Sequence, residues 1–242
     1  MKSLLISQFI IVFLLLSWNF PPLCHLWEKL DIAAAYFFNS FIQNHKISQN
    51  FWAFFNSSLA DWLFDITMAL FFLPYVFLAQ KGQKLKRFIE ISLIIFVIVL
   101  FYNLFNRGIF EKAIILSRES PFGVLPDLFS LNEVISWTHV KVHSSASYPG
   151  DHGYTICMFI LSIYFLMGRR QCFFAFLASL PFLVPRLITG AHWVTDILMG
   201  SFIMALFILG WLFYTPLFTF LTSKIHSLIK VIFNDNISNE NL

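Results

Sequence analysis

Six apolar stretches, at approximately 4–20, 62–80, 88–106, 152–168, 172–189 and 196–215, decide what this chain of 242 residues can become. Each approaches, some only with their flanks, the roughly 20 residues that an α-helix needs to cross about 30 Å of hydrocarbon. A soluble domain could not cover so much apolar surface, because 58% of the residues are hydrophobic, only 12% are charged and the mean hydropathy is +0.74. The expected fold is therefore all-α: a polytopic membrane protein with six transmembrane helices, formed as a single domain over 1–233 with a polar tail over 234–242. The many Phe and Trp suit lipid-facing helices and the aromatic belts at the two interfaces.

Charge sets the expected orientation. The opening MKSLLISQFIIVFLLLSWNF has the basic start and apolar middle of a secretory signal, but Trp18, Asn19, Phe20, Pro21 and Pro22 stand where a small-residue cleavage site would be, so it reads as an uncleaved anchor. With Met1 inside, the short loops KGQKLKR and GRR also lie inside and are almost purely basic. The outer segments spread their cations over far more chain and mix them with most of the acids. The positive-inside rule then places both termini in the cytoplasm. The net charge of +3 reflects this asymmetry and points to no nucleic-acid partner. Cys24, Cys157 and Cys172 have no CxxC spacing, and His25, His45, His139 and His143 have no spaced partners, so no metal, cofactor or disulfide framework is expected. Between the first two spans, residues 21–61 include LWEKLDIAAAYFFNSFI, whose pattern suits an interfacial helix, and residues 107–151 form a long outer loop. LTSKIHSLIKVIF, after the last span, reads as a surface helix on the inner leaflet.

In this orientation SRESP (117–121), YPGDHG (148–153) and PRLITGAHWVTD (185–196) meet on the outer side. Charged groups near a bilayer are costly unless they face one another or a polar cavity, so their convergence marks an outer-face active site. Two fixed cations, Arg118 and Arg186, two imidazoles, His152 and His192, and the carboxylate of Asp196 are suited to phosphoryl transfer. Guanidinium forks match phosphate oxygens and offset charge on a transferring phosphoryl group. His192 and Asp196 are four apart, on one face of a helix if it has begun there, so His192 is read as nucleophile and Asp196 as its orienter. His152 opens the fourth span, where the free N–H groups after Gly150 and the helix dipole favour an anion; it is read as general acid beside a phosphate cradle. Asp151 is read first as a cap for that span, with contact to an acceptor or tuning of His152 as other readings. Asp61 and Asp65 are read as caps of the second span.

Pro149-Gly150-Asp151-His152 followed by Arg186, His192 and Asp196 in the pattern R-x5-H-x3-D resembles the type 2 phosphatidic acid phosphatase superfamily. That resemblance implies a phosphohistidine formed without metal, and it adds Lys112 to Arg118 and Arg186 as a phosphate contact. The usual second motif there is Pro-Ser-Gly-His. The first usually has six residues between its lysine and an Arg-Pro pair, whereas five separate Lys112 from Arg118 and Glu119 follows. A closer resemblance, carried by LSWNFP, LDIAAAYFFN, SRESP, SYPGDHG, PRLITGAHWVTDILMGS and LFYTPL, is to lipid A phosphotransferases of the bacterial inner membrane. It implies a periplasmic site at which undecaprenyl diphosphate gives its terminal phosphate to the 1-phosphate of lipid A. The residues themselves leave two other readings open: a phosphatase acting on undecaprenyl diphosphate, phosphatidylglycerol phosphate or lipid A, and a non-enzymatic membrane protein whose arginines hold a headgroup.

Overall fold

The structure is a computed structural model that describes residues 2–104, 118–144, 147–148 and 150–239. The described elements are helices joined by turns and loops: α1 (Lys2–Leu16), α2 (Pro21–Gln43), α3 (Lys46–Phe55), α4 (Ser58–Phe77), α5 (Lys84–Leu104), α6 (Asp151–Met167), α7 (Arg169–Ile188), α8 (Asp196–Tyr214) and α9 (Leu217–Asn239), with a one-turn helix at Pro121–Val124. The expected spans agree with helix bounds to within four residues at each end.

Four helices, α4, α7, α8 and Lys81–Leu104, are each long and apolar enough to cross a membrane, and a fifth span results if α1 and α2 are counted together. The two meet at a bend of 77°. Its cause is local: Pro21 and Pro22 cannot continue a preceding helix but are well suited to start the next, and Trp27 Nε1 donates to Ser17 Oγ across the elbow at 2.9 Å. The remaining expected span, α6, has 17 residues, about 25 Å of rise, and falls short on length alone.

That short helix is the axis of the bundle. α7, α8, α5 and α4 all pack on α6, and Ile156, Met158, Phe159 and Ile163 are almost wholly enclosed. Phe159 meets Phe64, Phe71 and Phe72 edge-on, with centroids 5.6 to 5.8 Å apart. A glycine makes the tight reversal into α7: Gly168 ends α6 and precedes α7 at φ 93°, a conformation L side chains resist.

The region expected to lie at the interface forms α2 and α3 and is anchored inward. Asp31, Ala35, Asn39 and Ile42 recur at helical spacing and make one buried face of α2. Asn39 donates to the carbonyls of Phe129 and Ile188, both at 3.1 Å, and accepts from Phe129 N–H at 2.8 Å, stitching the segment after the one-turn helix to the end of α7. α9 packs on α5 through its first turns, burying Phe218 and Thr222, and its backbone stays helical to Asn239, past the point where the polar tail was expected to begin.

Replacing Phe159 by Ala removes a ring enclosed by three others and should destabilise the bundle by about 3–5 kcal/mol, read as a lowered unfolding midpoint in detergent. Phe96→Ala, at an outward-facing ring, should leave that midpoint nearly unchanged.

Candidate functional site

The segments around Arg118 and Ser147 close on the bundle as a clasp. Ser120 N–H donates to Ser144 O at 3.0 Å and Ser147 N–H to Arg118 O at 2.8 Å, laying 118–120 beside Ser144 and Ser147. Phe122 N–H then donates to Gly190 O at 3.0 Å. Gly190 has φ 72°, and a Cβ there would meet Leu128 Cδ1 at 3.1 Å and Phe122 at 3.3 Å, so both the turn and the packing call for glycine. This turn places His192 back over α7, where its N–H donates to Arg186 O at 3.1 Å.

His192 lies in the bend before α8, not on the helix as its spacing from Asp196 suggested. Its Nδ1 is 2.9 Å from the carbonyl oxygen of Ser147 and 3.5 Å from Asp196 Oδ2. A carbonyl can only accept, so Nδ1 carries the proton and, in the neutral ring, Nε2 carries the lone pair. Nε2 is buried and has no hydrogen-bond partner among the described residues. Asp196 is fully buried, and its Oδ2 also accepts from Trp193 N–H at 2.8 Å, so it fixes the turn as well as facing the imidazole. Burial and the Asp196 charge push the nearby Tyr148 phenol far above its ordinary range, so it stays neutral.

Arg118 is clamped. Nη2 pairs with Asp31 Oδ2 at 2.7 Å, Nη1 donates to Thr195 Oγ1 at 3.0 Å and stands 3.8 Å from Asp196 Oδ1, and the guanidinium lies 4.7 and 4.3 Å from the ring centroids of Trp18 and Trp193. Asp31 accepts in addition from Thr195 N–H at 3.0 Å and from its hydroxyl at 2.6 Å. α2 thus contributes a wholly buried carboxylate to the site.

Arg186 and His152 form the other half. Arg186 is 3% exposed; Nη1 donates to Asn56 Oδ1 at 2.7 Å and Nη2 to Asp61 Oδ1 at 3.1 Å, while Nε has no partner among the described residues. The same Asp61 oxygen lies 3.1 Å from His152 Nε2. His152 Nδ1 is buried without a partner among the described residues. A cavity of about 260 Å³ opens here, lined by Asp61, Asp151, His152 and Tyr102 above Phe64 and Phe182. Tyr102 donates to Asp151 Oδ2 at 3.3 Å. Gly150 joins the halves: it caps α6, and a Cβ on it would sit 3.3 Å from His192 Nδ1.

The structure therefore brings Arg118, Asp196 and His192 into one cluster and Arg186 and His152 into its neighbour, with Gly150 between. Lys112 lies outside the described residues, as do Ser117 and Pro149 of the same motifs. Asp31, Asn56, Asp61, Ser147 and Thr195 were not singled out as site residues from the sequence. Asp31 left a signal, as the lone acid on the Ala35, Asn39 face of α2. Asp61 was visible only as a cap, and the Ser147 contact is a backbone carbonyl that side-chain chemistry cannot announce. Among the described residues, no three His, Cys, Asp or Glu side chains are grouped as metal ligands would be.

Fold and site together define an all-helical membrane protein with imidazole, guanidinium and carboxylate groups gathered at one end of its bundle. No family model matches the chain, and no solved structure matches it. Among curated proteins, it is similar to lipid A 1-diphosphate synthase of Escherichia coli (strain K12), with 28% identity over 204 residues, 84% of each chain. The resemblance to lipid A phosphotransferases drawn from the sequence is borne out by that match.

Asp31→Ala should take from the partly buried Arg118 guanidinium its closest carboxylate partner and cost about 2–4 kcal/mol of stability. The double variant Asp31→Ala/Arg118→Met, with both charges removed, should recover part of that loss in the same thermal unfolding experiment.

Proposed function

We propose that this chain is a lipid phosphotransferase of the bacterial inner membrane. In this reading it moves the terminal phosphate of undecaprenyl diphosphate to the 1-phosphate of lipid A on the periplasmic face. The observation that carries the reading is the fixed tautomer of His192: Nδ1–H is held by the Ser147 carbonyl at 2.9 Å, leaving a buried Nε2 lone pair. The acceptor class follows the name of the E. coli relative, a lipid A 1-diphosphate synthase. The donor and the phosphohistidine route follow the sequence resemblance.

In the first half-reaction Nε2 attacks the terminal phosphorus and an N–P bond forms as the P–O bond to the leaving lipid phosphate breaks. His152 supplies the proton that the leaving oxygen takes up. Asp61 accepts from His152 Nε2, which makes Nδ1 the nitrogen that delivers this proton. Asp196, 3.5 Å from Nδ1 of His192, offsets the positive charge that the ring gains on phosphorylation. Arg186, through the Nε that Asn56 and Asp61 leave unclaimed, and Arg118 add positive charge for the equatorial oxygens. The N-terminal N–H groups of α6 beyond Gly150 face the same anion. In the second half-reaction an oxygen of the lipid A 1-phosphate attacks the phosphohistidine, the N–P bond breaks and Nε2 regains its lone pair. Lys112, the remaining phosphate contact of the resemblance, belongs to the same proposal.

The deciding experiment gives purified protein undecaprenyl diphosphate labelled in its terminal phosphate, together with lipid A. Label should enter lipid A, and His192→Ala should lower transfer at least about a thousandfold. Label found only in free phosphate would replace this reading with that of a phosphatase, and a fully active His192→Ala protein would remove the mechanism. Asp61→Asn should slow transfer from a lipid diphosphate by about a hundredfold while sparing a substrate with an activated leaving group, which needs no proton. Because the residues named carry the phosphate charge themselves, chelation with EDTA should leave the rate unchanged.

A further inference from the structure

The end of the bundle opposite the candidate site holds a second polar cluster for which the reaction has no use. α4 carries Asp61 in its first turn and Tyr75 near its last, and α6 runs from His152 to Leu166 and Met167. At 1.5 Å per residue the two ends of α6 are separated by about 22 Å. There a groove of about 550 Å³ opens between α4, α5, α6 and α7, with Phe71, Pro74, Leu166 and Met167 forming apolar wall and Arg87 and Gln171 also lining it.

Glu90, a carboxylate within a spanning helix and only 9% exposed, stands beside this groove. An ionisable group there is expensive and needs a partner and a purpose. It accepts from the Tyr75 hydroxyl at 2.7 Å and lies 4.0 Å from Lys86 Nζ. The ring held in this way faces Arg87, whose guanidinium carbon is 4.5 Å from its centroid, and Arg87 Nη1 donates to the Tyr75 carbonyl at 2.9 Å. Glu90 orders Tyr75, and Tyr75 orders Arg87 at the groove. The adjoining turns carry Lys81, Lys84 and Lys86 on one side and Arg169 and Arg170 on the other. Residues 78–91 and 166–172 contain Glu90 as their single acid, and it is already engaged.

We infer that this groove binds an anionic phospholipid, with the headgroup phosphate on the Arg87 guanidinium and an acyl chain along the Phe71, Pro74 and Leu166 wall. The apolar wall calls for a hydrocarbon chain, and the one-signed rim calls for a negative head. A zwitterionic lipid would meet the same wall but gain far less from the rim. The site needs only that the chain sit in a bilayer, so it stands apart from the reaction proposed at the other end.

The test is native mass spectrometry of the full chain, released from detergent that contains equal amounts of phosphatidylglycerol and phosphatidylcholine with identical acyl chains. Wild type should retain phosphatidylglycerol over phosphatidylcholine by about fivefold, the factor expected for one cation on an anionic headgroup. Arg87→Ala should abolish that preference. Leu166→Trp, which fills the groove without touching a charge, should lower retention of the lipid, and His192→Ala at the far end should behave as wild type. Equal retention of the two lipids by wild type overturns the inference. So does an undiminished preference in Arg87→Ala, or undiminished retention in Leu166→Trp. Melting temperatures measured alongside separate loss of the lipid from loss of the fold.

Discussion

The site depends on one partly buried guanidinium. Arg118 comes from the segment before the one-turn helix, Asp31 from α2 and Thr195 from the start of α8, and their mutual contacts of 2.6 to 3.0 Å join three pieces of chain far apart in sequence. In a medium of low dielectric none of these groups can be left without its partner, so each constrains the other two. The rings of Trp18 and Trp193, with centroids 4.7 and 4.3 Å from the guanidinium carbon, add cation–π attraction to the pair. The bend between α1 and α2 takes its purpose from this: it carries Trp18 and Asp31 to the same guanidinium, which a straight continuation of α1 would not do.

The clamp sets the turn, and the turn sets the chemistry available to His192. Thr195 held on Asp31 and Trp193 N–H held on Asp196 fix the backbone around the imidazole. The loop strand bearing Ser147 is fixed in turn by its two hydrogen bonds to Arg118 O, from the backbone N–H at 2.8 Å and the hydroxyl at 2.9 Å. Arg118 thereby positions the carbonyl that selects the His192 tautomer, even though it does not touch the ring. Asp196, which the sequence spacing cast as the sole orienter, shares that task with a backbone atom. Its location still matters, because the oxygen that stands 3.5 Å from Nδ1 also holds Trp193 N–H and so ties the ring's position to the turn.

How much of this was legible in the sequence follows from what each signal encodes. Hydropathy records which residues leave water, so the apolar runs located the helices to within a turn. It does not distinguish helices that face lipid from those enclosed by others, which is why the central position of α6, with no fully exposed residue along its length, could not be read from its apolar run. Short motifs record side-chain chemistry, so His192, Arg118, Asp196, Arg186, His152 and Gly150 could be named in advance. Which of them would touch was not readable. The motifs contain no trace of Asn56 and Asp61, which join Arg186 to His152 only because the α3–α4 turn packs against the end of α7. Asp31 was masked by a different effect: a helix with one polar stripe looks interfacial until the partner of that stripe is known, and here the partner is a guanidinium on a loop.

The two ends of the bundle use the same helices under opposite electrostatic rules. At the candidate site Asp31, Asp61 and Asp196 face Arg118 and Arg186, so charge is nearly balanced and each guanidinium already has a carboxylate in place. Selectivity there rests on geometry, because net attraction is weak. At the far end six cations, Lys81, Lys84, Lys86, Arg87, Arg169 and Arg170, accompany one engaged acid, so attraction is strong and geometry is loose. α4 and α6 run through both environments, and their apolar middles, packed around Phe159, keep the two fields about 20 Å apart in a medium that screens little. The same helices therefore carry an excess of one sign at the basic end and paired opposite charges at the other, and the sequence between them has to supply the apolar packing that lets both exist in one bundle.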